Sequence, residues 1–114
     1  HQKQWLAQGD KLAARMRSVD SLAQVRKALA SLQRHLRTEV QWLHRNAGRF
    51  EPGSCLADDL HLWQKHVQRA LKSLNRTITA LNHQNSAAMS TNARQFARSW
   101  TKVEQVYNAG RCDF

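Results

Sequence analysis

One proline and four glycines among 114 residues leave this chain almost without breakers. Elements end at such residues, so a chain this poor in them holds few and long ones. Strand formers never cluster. The densest β-branched run is Thr77–Ile78–Thr79, too little to frame a sheet. No stretch approaches the ~18 consecutive apolar residues of a membrane-spanning helix. Acidic residues are few: eight Asp and Glu face eighteen Lys and Arg, a formal charge of +10. Catalytic signatures are missing too, with no nucleophile elbow, phosphate-binding glycine loop, H-E-x-x-H or paired C-x-x-C. No signal peptide is found, and a mature exported chain would carry none. His1 is read either as a mature first residue or as a tag remnant.

What fills the chain is Ala, Leu, Gln, Arg and Lys, all good helix formers. Apolar residues recur at spacings of three and four in four stretches. Trp5, Gly9, Leu12, Met16 and Val19 mark the first. Leu22, Val25, Leu29, Leu32, Leu36 and Leu43 mark the second, with the polar Glu39 interrupting one position. The third runs from Leu56 to Leu81 through Trp63, Val67 and Leu74, and the fourth from Met89 to Tyr107 through Phe96, Trp100 and Val103. Each spacing gives one apolar face. The pattern predicts a single all-α domain over 1–114, with helices at about 2–18, 21–46, 56–82 and 86–108. Ser21 with Gln24 reads as a capping box. Gly48 is expected to end the second helix in the left-handed conformation, with Pro52 and Gly53 preventing resumption. Ser54 is read as capping the third helix, whose positive N-terminal dipole suits Asp58 and Asp59. Asn85 or Ser86 starts the fourth and Gly110 ends it. Short connections force an antiparallel up-down-up-down four-helix bundle.

That topology places the 46–55 loop and both chain ends at one end, here the lower. It therefore brings Cys55 and Cys112, the only two cysteines, together. A disulfide is the economical reading. It closes a loop of roughly 57 residues, worth about 4 kcal/mol from chain entropy. It implies an oxidising compartment, periplasmic or secreted. A redox-active role has no C-x-x-C to rest on.

Charge is uneven along the bundle. Lys11, Arg15, Arg17, Arg26, Lys27, Arg69, Lys72, Arg76, Arg94 and Arg98 belong to the upper half, against only Asp10 and Asp20. Such a field steers an anionic partner. An acidic protein or an anionic envelope polymer fits an exported chain, whereas no groove-reading motif supports nucleic acid. The expected function is thus non-enzymatic binding by a monomer or weak homodimer, as a periplasmic inhibitor, immunity or secretion accessory protein. Two alternatives stand beside it. One is a carrier of haem or of copper, the latter at His1 with His44 or His61. The other is a small enzyme using Glu39 or Glu104, for which ordinary pairing with Arg37, Lys102 or another arginine is the plainer reading. No cofactor or metal is expected. Asn75–Arg76–Thr77 also matches the N-glycosylation triplet.

"SLAQVRKALASLQRHL" (21–36), "DDLHLWQKHVQRALKSLN" (58–75) and "ARQFARSWTKVEQVY" (93–107) resemble the cytochrome b562 family of small periplasmic four-helix bundles. "AQVRKAL" at 23–29 is the closest local match. The resemblance implies haem ligation at the positions of Leu6 and Glu104. Leucine cannot ligate iron, and glutamate is not the family's axial ligand, so a relative with these residues would be haem-free. Trp5, Trp42, Trp63 and Trp100, one per helix in the lower half, are expected as core aromatics filling that volume.

Overall fold

The computed structural model describes residues 1–18, 21–109 and 112, with the side chains of 17 and 47 outside that set. Four helices carry the chain: α1 (Gln2–Arg17), α2 (Leu22–Asn46), α3 (Cys55–Asn82) and α4 (Ser86–Ala109). A 3-10 turn at Ala47–Arg49 follows α2. Among the described residues there is no strand, and no helix is long and apolar enough to cross a membrane.

Contacts between helices run in opposite sequence directions. His1 meets Glu39 and Trp5 meets His35 across α1 and α2. Glu39 meets Trp63, Gln33 meets Asn75 and Arg26 meets Asn82 across α2 and α3. The 83–85 turn then lays α4 back beside α3. The result is an antiparallel bundle of 46 × 22 × 22 Å. Cys55 and Cys112 form the disulfide, with Cα atoms 5.8 Å apart.

The helix ends have local causes. Ser21 Oγ accepts from the Gln24 N–H (3.2 Å), Ser54 Oγ from Ala57 N–H (3.2 Å) and Asn85 Oδ1 from Ala88 N–H (3.0 Å). Each occupies an otherwise orphaned first-turn donor. Gly48 departs from expectation. It sits inside the 3-10 turn, and among the described residues the glycine with positive φ is Gly53 at +80°. Tightening the last turn uses the terminal carbonyls without a left-handed residue. At the upper turn Gln84 takes φ +55°. The readings placed on Val19, Asp20 and Gly110 lie outside the described residues.

Trp63, Val67, Leu74, Leu32, Leu36 and Val103 are fully buried at the bundle axis. Trp5 packs edge-on to Trp63, with centroids 5.5 Å apart, and tilted against Trp100 at 5.4 Å. Trp42 is half-buried at the margin of this cluster. Gly9 lets α1 lie directly on the Trp100 indole, where a Cβ would meet Cη2 at 2.4 Å.

One length difference shapes the site. With 16 residues against 25 in α2, α1 falls short of the lower end. His1 stops at the level of Glu39, seven residues or about 10 Å before α2 ends at Asn46. His1 therefore meets α2 near Glu39 and Trp42 rather than beside the loop below.

Candidate functional site

The basic residues assigned to the upper half are on the surface. Lys11, Arg15, Arg26, Lys27, Arg69, Lys72, Arg76, Arg94 and Arg98 are all exposed; the Arg17 side chain lies outside the described set. They do not share one face. Arg69, Lys72 and Arg76, spaced by three and four, form a stripe along the outside of α3. An open groove of about 650 Å³ lies on this side, lined among others by Lys72, Arg76, His83, Asn75 and Asn85. On another side Arg15 and Lys27 join Arg34 in a groove of about 440 Å³ between α1 and α2. Sequence reasoning missed His83 and Arg34. The spacings were there: His83 is seven residues from Arg76 and Arg34 seven from Lys27, each a return to nearly the same side of a helix.

Among the described residues no lysine or arginine lies within ion-pair distance of a carboxylate; the ion pair found there joins His1 to Glu39. The positive charge is thus left unneutralised by the protein. Its effect is visible at His66, whose pKa is lowered first by burial and then by Arg69, Lys65 and Lys102. A guanidinium or ammonium facing only water keeps its full field for a ligand.

The second constellation is interior. Glu39 is 1 % exposed and holds two partners. Trp63 Nε1 donates to Oε2 at 2.8 Å, and His1 Nε2 lies 2.5 Å from Oε1. The His1 ring stacks on Trp42 with centroids 4.0 Å apart. One turn away, Trp5 stacks on His35, donates from Nε1 to the His35 carbonyl, and offers its own carbonyl to His35 Nε2. Burial pushes the Glu39 carboxyl above the usual range, opposed by the Trp63 hydrogen bond, His35 and the terminal amine. Both carboxylate oxygens are occupied, so the group is built as a structural acceptor.

Among the described residues Glu39 and Glu104 share no partner. Glu104 lies toward Asp10, and burial followed by the Asp10 charge raises its pKa. Nor does Glu39 pair with Arg37, which is exposed; His1 takes that place. Leu6 is buried in the apolar core. His44 and His61 are exposed, and among the described residues no three His, Cys, Asp or Glu side chains gather to hold a metal. Asn75 of the glycosylation triplet is half-buried within α3 and accepts from Gln33 Nε2 at 2.6 Å.

Compared with known proteins, the chain matches no family model, no curated protein and no solved structure.

Proposed function

We propose that this protein is a non-enzymatic, extracytoplasmic binding protein that engages an acidic protein through the α3 stripe Arg69, Lys72 and Arg76. The observation carrying this reading is the unpaired state of those three exposed cations beside a groove rich in amides. The amides of Asn75 and Asn85 and the ring of His83 line the same groove and suit a carboxylate-rich surface, which needs donors as well as charge. The disulfide supports an oxidising compartment. The placement of Glu39 supports a binding role over catalysis, since the residue is 1 % exposed and its carboxyl is turned inward onto Trp63 and His1, away from any substrate. In this reading the chain is a haem-free bundle of cytochrome b562 type, with Trp5, Trp63 and Trp100 packed where such a bundle holds its macrocycle.

The test is capture of poly-L-glutamate at low salt. R69E/K72E/R76E lowers the formal charge by six, from +10 to +4. K3E/R37E/R45E, on exposed residues of the lower half, does the same. Loss of capture in the first variant and retention in the second is the expected pair of results. Undiminished capture by the stripe variant, or equal loss in both, refutes the assignment.

A further inference from the structure

Between α1 and α4 the bundle opens into a second and chemically opposite site. α1 meets α4 through Trp5, Gly9 and Asp10, all of them on Trp100. Above that point both helices present small side chains, Ala13 on α1 and Ala93 and Ala97 on α4, and a cleft of about 330 Å³ remains, which continues down α4 past Trp100 to Thr101 and Glu104. All four helices line it. Leu29 and Leu74, 2 % and 1 % exposed, form its floor, so it reaches the core. Its size is at the lower end of the ~300–1,000 Å³ typical of small-molecule sites, which commonly lie between helices of bundles.

The formal charge lining this cleft is of one sign. Glu104 lines it, and no lysine or arginine does. Among the described residues no hydrogen bond or ion pair is found for the Glu104 carboxylate. Asp10 adds a second negative charge nearby and is already committed to Trp100 Nε1 at 3.0 Å. Phe96 and Trp100, stacked with centroids 6.2 Å apart, supply aromatic surface beside the carboxylate. A half-buried carboxylate beside aromatic rings and an apolar floor discriminates by charge: it repels anions and rewards a cation that brings its own apolar body. On a protein of charge +10, this is a local reversal of sign.

We propose that the α1–α4 cleft binds a small organic cation, with its apolar part seated on Leu29 and Leu74 and its cationic head against Glu104. This site is independent of the α3 stripe and takes the opposite charge.

The probe is benzyltrimethylammonium, titrated calorimetrically into the intact protein, with 3-phenylpropanoate as the anionic comparator. Saturable one-to-one binding of the cation is expected, with the anion at least about tenfold weaker. E104Q should weaken the cation about fivefold, the scale of one partly exposed charge contact. A93L, which fills the cleft, should abolish binding; circular dichroism checks its fold, and E104Q carries the test if A93L unfolds. Absence of binding at millimolar probe, equal affinity for the anion, or unchanged affinity in E104Q overturns the proposal.

Discussion

Replacing Gly9 by alanine sets two effects of known sign against each other. In an exposed helix interior, Gly→Ala stabilises by about 1 kcal/mol, because alanine loses less backbone entropy on folding. Gly9 sits inside α1, so propensity alone predicts a gain. Packing predicts the reverse. The new Cβ would lie 2.4 Å from Trp100 Cη2 and 2.7 Å from Cζ2. Carbon atoms pack at ~3.5–4.0 Å, so more than 1 Å must be recovered by moving the indole or α1. The indole is pinned by its hydrogen bond to Asp10 at 3.0 Å and by contacts with Trp5 and Phe96. Overpacking of this kind costs about 1–3 kcal/mol. Loss of the charge-assisted bond to Asp10 adds about 1.5 kcal/mol. After the propensity gain, G9A should be destabilised by roughly 2 kcal/mol. In urea, followed by circular dichroism, that is a midpoint lowered by about 1 M at unchanged slope. Trimming the ring should relieve the clash, so G9A should cost less in a W100F background. A G9A protein as stable as the parent, or more so, would refute the close α1–α4 approach.

C55S/C112S removes a cross-link spanning 57 residues. It should lose about 4 kcal/mol of unfolding free energy, read as a lowered thermal midpoint; a loss under 1 kcal/mol would contradict this. The raised pKa of Glu39 means that the folded protein binds its proton more tightly than the unfolded chain. Its contribution is full below the ordinary value of about 4.5 and is lost as pH rises through the folded value. The stability of E39Q relative to the parent should therefore grow over that window, and a difference independent of pH would sink the assignment. E39L should instead lose about 1–3 kcal/mol throughout, because the Trp63 N–H is left without an acceptor.

The bundle itself was legible because it rests on periodicity, which one sequence displays completely. Two caps were readable because Ser21 and Ser54 act over three residues, while the sequence left the start of α4 between Asn85 and Ser86, of which Asn85 makes the cap. The disulfide followed from topology once the helix count was known. Gly48 was misread because a glycine after a helix permits the left-handed conformation without requiring it, and a 3-10 turn satisfied the same carbonyls. Glu39 shows where local reading ends. Its interruption of an apolar stripe was evident, but its partners His1 and Trp63 come from two other helices, and nothing near residue 39 names them. The α1–α4 cleft was equally hidden, since an absence of side-chain volume at Ala13, Ala93 and Ala97 becomes a cavity only when all four helices have been placed.

The cross-link also decides how the molecule bears tension. A pull on the chain beyond Cys112 enters at that sulfur and leaves through Cys55 into the loop that follows α2. The α3–α4 hairpin, with the α3 stripe on it, hangs off this route as a slack loop and carries none of the load. Covalent tension between His1 and Cys112 is carried by α1 and α2 alone. The part proposed to hold a partner is mechanically short-circuited, and tension reaches it only through the packing of α1 and α2 against it.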